Sequence, residues 1–320
     1  MGIRWNSFFG VHDFKVDGTA EMKKKRQAYY NKMVEGMVTE ICTRYGILFE
    51  IWFDGGADDP ANGAPDVLPI VKKYQPGCLF YWNAQLSEAR WGGSESGTVG
   101  YPNWSNFPYP SMLTRQYPEI KKDNYYLAKH GDSSGNYFVP AMADAPLRGY
   151  NGRHEWFWEP GDEKHIYPLK NLVEMYYKSV GRNATLILGL TPDNTGLLPQ
   201  PDVQRLKEFG DTIQQIFNQP LAVVSGKGYS FLISLPKAQS LNQFVVQEDI
   251  AKGHRVKNFS IQVQKNGNWK TVATGSSIGN KYIHVMDQSV ITKKIRLNIE
   301  SAFAEPDIKL FSVYSNASGL

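Results

Sequence analysis

The stretch Ile47-Leu48-Phe49-Glu50-Ile51-Trp52-Phe53-Asp54-Gly55-Gly56 decides the architecture. From Ile47 to Phe53 it is almost continuously apolar, the pattern of a strand buried on both faces of a parallel sheet. Asp54-Gly55-Gly56 then breaks the run. Upstream, residues 23–45 read as a helix: Tyr30, Met33, Met37, Ile41 and Tyr45 recur at three to four residues, and Gly46 supplies the stop. Downstream come a short helix around Val67–Tyr74, Pro76-Gly77, and a second buried strand, Cys78–Trp82. The same alternation returns with a helix at Leu169–Val180, a strand at Thr185–Leu190 and a helix at Asp202–Phe217. Strand–helix repetition implies a parallel sheet with helical crossovers. The aromatic, Gly-rich segment 84–160 has little periodicity, and such segments hold the active-site loops of α/β enzymes.

After about residue 222 the texture changes to short period-2 runs: Ser230–Ser234, Gln243–Gln247, Phe259–Gln264, Trp269–Ala273, Lys281–Met286, Lys294–Ile299 and Ile308–Tyr314. Turn signals such as Asn266-Gly267-Asn268 separate them. These runs predict an antiparallel β-sandwich. The expected division is therefore an α/β part over residues 1–220 and a sandwich over 221–320. The α/β part holds about four or five strand–helix units, whereas a closed (β/α)8 barrel needs eight and about 250 residues. The chain opens directly on a strand-like Ile3-Arg4-Trp5 and reads as the C-terminal part of such a barrel.

Composition narrows the function classes. Among 320 residues, 42% are hydrophobic and 21% charged, which is ordinary globular usage and excludes a disordered or collagen-like chain. No stretch reaches the roughly 18 consecutive apolar residues of a membrane helix. Met1 is followed by no basic-and-apolar leader. The net charge of +4 and a single basic run, Lys23-Lys24-Lys25-Arg26 on a helix face, give no case for a nucleic-acid partner. Cys42 and Cys78 allow one disulfide or two buried thiols, and neither they nor the six histidines have metal-ligand spacing. Asn-x-Ser/Thr sequons at Asn103, Asn183, Asn258 and Asn316 permit secretion without showing it. Aromatics reach 13%. Sugar faces stack on such rings, and core packing uses them equally.

Side chains alternate along a strand, so Trp52 and Asp54 face the same way. At the C-terminal end of a barrel strand that face is the active-site mouth. A carboxylate beside an aromatic platform is glycosidase equipment, although a turn aspartate beside a core tryptophan would give the same letters. Glycosidases need a second carboxyl, roughly 5–5.5 Å away for retention or roughly 6.5–9.5 Å for inversion. The candidate is Glu95, in Arg90-Trp91-Gly92-Gly93-Ser94-Glu95-Ser96-Gly97. Its rivals are Glu88, Asp58, Asp59, Asp144 and Glu155.

Several stretches, in order, resemble the α-L-fucosidases of glycoside hydrolase family 29, in the branch of plant and bacterial type. Ile47–Gly56 looks like the nucleophile strand. Trp91–Trp104 resembles the loop carrying the general acid/base, and Asp144–Trp158 the aromatic substrate loop. Gly181–Gly210 is similar to the last strand–helix unit. The tail, with Phe244–Glu248, Gly253-His254-Arg255-Val256 and Trp269, resembles the galactose-binding-like sandwich that follows the barrel. The resemblance implies a retaining exo-α-L-fucosidase with Asp54 as nucleophile and Glu95 as acid/base. Trp52, Arg90, Trp156 and Trp158 match positions near the sugar. It implies no metal or cofactor, a fucosylated oligosaccharide or glycoprotein as substrate, and an extracellular, periplasmic or lysosomal setting.

The family's early-strand histidines have no counterpart in His12, His130 or His154. Met142 stands where relatives often carry Glu, and Glu159 where they often carry His. The early strands would lie upstream of the first residue, so a weakly active or inactive chain is expected. A non-catalytic sugar-binding protein built on the same scaffold is the competing reading. The sandwich reads as a structural cap, because no aromatic cluster marks a binding tip.

Overall fold

The computed structural model describes residues 19–92, 94–113, 116–122, 125–152 and 156–315, in two compact units. Ile3-Arg4-Trp5, His12, His154, Glu155 and Asn316 lie outside the described residues.

The first unit comprises residues up to Arg90 together with Tyr109–Lys122. Helix α1 (Ala20–Arg44) is capped by the Thr19 hydroxyl, which accepts from the Met22 amide, and Gly46 follows its end at φ +88°. Its buried stripe is Tyr30, Val34, Val38 and Cys42. That lies one position round from the expected stripe, and Met37 and Tyr45 are exposed. The stripe packs on strand β1 (Glu50–Ala57), helix α2 (Leu68–Tyr74) and Phe80 of strand β2 (Leu79–Asn83). β1 and β2 pair in parallel, as a two-stranded sheet.

Two expectations for this stretch are corrected. The strand begins at Glu50, leaving Ile47 and Phe49 exposed. It also continues through Asp54-Gly55-Gly56 to Ala57. Register explains the continuation. Trp52 pairs with Tyr81, and the next pair is Ala57 with Asn83, so β1 bulges between them.

The second unit holds Trp91–Pro108 and the chain from Asp123 onward. Strands β3 (Arg90–Trp91), β6 (Ala141–Pro146) and β7 (Ala184–Gly189) form a sheet in that order, β6 and β7 being parallel. Helices α5 (Leu169–Lys178) and α6 (Gln200–Phe217) cover it through Leu172, Met175, Leu206 and Phe209. Between β3 and β6 lie strand β4 (Asn106–Phe107), the short helices α3 (Glu119–Lys122) and α4 (Tyr126–His130), and strand β5 (Tyr137–Phe138), which pairs antiparallel with β4. β6 falls inside the segment read as aperiodic.

The sandwich region is a six-stranded antiparallel sheet, ordered β11-β10-β12-β9-β13-β8. Its strands are β8 (Ala222–Lys227), β9 (Ser230–Glu248), β10 (Val256–Lys265), β11 (Asn268–Gly275), β12 (Tyr282–Ala302) and β13 (Asp307–Tyr314). Four of the predicted short strands are thus two long ones. β9 and β12 pair on both sides of a register break near Thr292 and Lys294. Phe231, Ile233, Leu235 and Leu241 face the core along one part of β9, and Phe244 and Val246 do so beyond a second register break, opposite Val285–Val290 of β12. The phase shift keeps both halves directed at one apolar interior.

Candidate active site

On β1 the alternation holds. Ile51 and Phe53 point into the core beneath α1, so Glu50, Trp52 and Asp54 take the opposite face. Asp54 is exposed, within the bulge. Trp52 is half-buried and meets the Tyr81 ring edge-on, with centroids 5.1 Å apart. Glu50, two residues before Trp52, was not singled out by sequence. Both of its carboxyl oxygens are buried without a hydrogen-bond donor among the described residues. Burial pushes its pKa up to about 7. Arg90 is completely buried, and desolvation brings its pKa down to about 9, so it stays cationic at neutral pH.

The rival carboxylates of this unit have structural employment. Glu88 pairs with Lys72 at 2.6 Å and accepts from the Phe80 amide. Asp59 caps a short turn by accepting from the Ala61 amide at 2.9 Å. Asp58 is exposed on the same segment.

The second unit carries the other half of the candidate set, at the C-terminal ends of β6 and β7. Glu95 is half-buried, and its Oε2 accepts from Trp156 Nε1 at 3.2 Å. The Trp156 ring lies so close over Gly189, the last residue of β7, that any Cβ there would strike it. The loop bearing Glu95 is tied down by the Gly97 amide, which donates to the Asp144 carbonyl at 2.8 Å. Asp144 is buried and its Oδ1 accepts from Trp91 Nε1 at 2.7 Å, so this rival orients the neighbouring tryptophan. Trp158 is half-buried. Of the expected residues, the structure therefore joins Glu95 to Trp156, and it adds the Trp91–Asp144 pair. A spacing of 61 residues between Glu95 and Trp156 left no sequence signal for that contact.

Several other features resolve. His130 bonds the Pro102 carbonyl through Nδ1 at 2.7 Å and stacks on Tyr126. Asn103 and Asn183 are buried, and Asn183 donates to the Asn103 carbonyl and the Ser105 hydroxyl, so these two sequons serve packing. Cys42 and Cys78 are free, buried thiols. Among the described residues no group of His, Cys, Asp and Glu is gathered to hold a metal ion, and no helix is long and apolar enough to cross a membrane.

Comparison with known proteins gives one family. Residues 8–216 match the α-L-fucosidase family model, and residues 223–310 match the F5/8 type C domain model. A solved structure from Bacteroides thetaiotaomicron, described as a candidate α-L-fucosidase, is 54% identical with a TM-score of 0.89, covering 99% of this chain and 72% of its own. A glycoside hydrolase 29 family member from a rumen bacterium is 27% identical with a TM-score of 0.73, over 93% of this chain and 55% of its own. Among curated proteins, a candidate α-L-fucosidase 1 of Oryza sativa subsp. japonica is 29% identical over 90% of this chain. α-L-Fucosidase 1 of Arabidopsis thaliana is 25% identical over 89%. The chain spans 60% and 62% of the length of those two relatives. With the strand bearing Asp54, the loop bearing Glu95 and the sandwich all within matched stretches, the chain belongs to the α-L-fucosidase family.

Proposed function

We propose that the protein contributes the catalytic carboxylates of a retaining exo-α-L-fucosidase, residues 1–220 forming the catalytic part and residues 221–320 an accessory sandwich. The observation that carries this reading is the Trp156 Nε1–Glu95 Oε2 bond at the C-terminal end of a parallel strand pair. That end is where barrel enzymes place their chemistry. The indole fixes one carboxyl oxygen, Oε2, of the proposed acid/base.

Asp54 attacks C1 of the terminal α-L-fucosyl unit while Glu95 gives its proton to the departing oxygen. The C1–O bond breaks and a fucosyl–Asp54 ester forms. Glu95, now a carboxylate, takes a proton from water, whose oxygen displaces Asp54 and releases L-fucose with its configuration retained. Trp52 lies on the Asp54 face of β1 as a stacking surface for the sugar, with Arg90 and Trp158 completing the proposed substrate set. The substrate is a fucosylated oligosaccharide or glycoprotein, met outside the cytoplasm or in a lysosomal compartment.

Release of nitrophenol from an aryl α-L-fucoside tests the assignment. Asp54→Gly should lower turnover by about 10³-fold or more, with azide restoring part of it as the β-fucosyl azide. Glu95→Gln should slow natural linkages far more than activated aryl substrates. Turnover by the parent chain that survives Asp54→Gly undiminished would overturn the proposed nucleophile.

A further inference from the structure

A recess lies wholly within the second unit, where the paired strands β4 and β5 meet two loops of the sandwich. Its volume is about 300 Å³, at the lower end for small-molecule pockets and suited to a single ring. Three aromatic residues line it: Tyr137, Phe138 and Phe303, which are 46%, 46% and 44% exposed. Partly open rings cost water ordering; Tyr137 and Phe138 take opposite faces of β5, so one of them with Phe303 offers the stacking surface. Its polar lining includes Asn136, Lys252 and Arg255, and among the described residues no carboxylate lines it.

The walls are built in advance. Trp104, just before β4, meets the buried His254 ring in a tilted contact with centroids 4.7 Å apart. Asn106 Nδ2 donates to the His254 carbonyl at 3.3 Å. The turn just before β5 packs so tightly that Gly135 lies directly on the Phe107 backbone, where a side chain would collide. Lys257 Nζ sits 4.4 Å from the centre of the Phe303 ring and holds it. Arg255 Nη1 donates to the Glu305 carbonyl at 2.9 Å, which fixes the guanidinium. Its remaining N–H groups make no hydrogen bond among the described residues. Little ordering remains for a ligand to impose.

We propose that this recess binds one pyranose ring bearing an anionic substituent, a carboxylate or a sulfate ester. The rings take the CH face of the sugar, Asn136 takes hydroxyls, and Lys252 and Arg255 take the anion. Arg255 presents a planar fork matched to either oxyanion. The positive charge of Lys252 and Arg255 makes a neutral sugar the poorer occupant. The proposal is independent of any reaction at Asp54.

Saturation-transfer NMR and titration calorimetry on the full chain test it, with D-galacturonic acid and galactose 6-sulfate as anionic probes and galactose and L-fucose as neutral ones. At least one anionic probe should bind about tenfold or more tightly than either neutral sugar. Which anionic probe binds identifies the substituent. Phe303→Ala and Lys252→Ala, both at exposed positions, should each weaken that binding severalfold with the melting temperature unchanged. Binding should also fall as salt is raised through the physiological range. Equal affinity for neutral and anionic probes, no saturation transfer from any probe, or binding indifferent to both substitutions would overturn the proposal.

Discussion

The α/β region and the sandwich are held together by different means. The sandwich closes on a continuous apolar interior, with Leu235, Phe244, Phe259, Ile261, Leu297 and Phe311 essentially without solvent contact. Its buried ionisable pair, Glu248 with His254, is satisfied locally. Glu248 accepts from the Arg255, Val256 and Gly279 amides, and its Oε2 lies 3.2 Å from His254 Nε2. In the α/β region the strands are few and polar groups are buried between them. Arg90, Arg148, Asp144 and Asp202 are all buried there. Every residue of β7 is only half-buried. One region uses its interior for cohesion. The other gives interior volume to groups that fix side chains at strand ends, which is what a site requires.

The sharpest way to break that contrast is to remove a polar partner from the α/β region. Arg148 and Asp202 form a fully buried bidentate pair, at 2.9 Å and 3.2 Å, joining the turn after β6 to the first turn of α6. Asp202→Ala removes the buried counter-charge and leaves the guanidinium with only the half-exposed Glu163, 3.9 Å away. The expected cost is about 3–5 kcal/mol, read as a lowered denaturation midpoint. A cost below about 1 kcal/mol, the range of exposed ion pairs, would show that the pair is decorative and the contrast false. Next in size is Leu297→Ala in β12. Leu297 has no solvent exposure, so lost transfer energy and a cavity add to about 3 kcal/mol.

A comparable effect should appear only when pH is changed. The Glu50 pKa stands at about 7 against an ordinary 4.5, because burial disfavours the anion. The folded value is the higher one. Its contribution is therefore complete below pH 4.5 and is lost as pH rises through 7. A shift of that size corresponds to roughly 3 kcal/mol. Glu50→Gln should remove this decline, so parent and variant diverge between pH 5 and 8. In the sandwich, burial raises Glu248 and lowers His254, from ordinary values of 4.5 and 6.5. Between those two values the folded pair holds one proton on Glu248, and the unfolded chain holds one on His254. The pair binds equal numbers of protons in the two states, so it adds no slope there. Parallel pH curves for the parent and Glu50→Gln would refute the role given to Glu50.

How much of this was legible depends on whether the signal was local. The helices α1, α5 and α6 were, because one face of each repeats at helical spacing. Strand β1 was legible as a strand but not in its limits, since Ile47 and Phe49 are apolar yet exposed. Strand β6 was not legible. Ala141-Met142-Ala143-Asp144-Ala145-Pro146 is buried at every position, so it shows no alternation, and small residues with a terminal proline look like a loop. The two long sandwich strands read as four because their alternation changes phase at a register break. Asp54 and Glu95 could be picked out by chemical type and by resemblance. The contacts that position Glu95, and the aromatic recess formed by Tyr137, Phe138 and Phe303, join residues too far apart in sequence to leave a pattern.

The smallest expected effect is the closest control. Leu188→Ala in β7 is the same chemical change as Leu297→Ala, made in a strand whose residues are half-buried. Leu188 packs on the cluster beneath α5 and α6, yet part of it already faces solvent, and a truncated side chain there admits water instead of leaving a void. Less apolar area is lost and the cavity contribution is small, so the cost should be about 1 kcal/mol, near the bottom of the usual range. Both variants are read in the same denaturation experiment, and the ratio matters more than either value. A Leu188→Ala cost equal to that of Leu297→Ala would mean that β7 is as enclosed as the sandwich core. The two regions would then be stabilised alike, whatever their buried polar groups are doing.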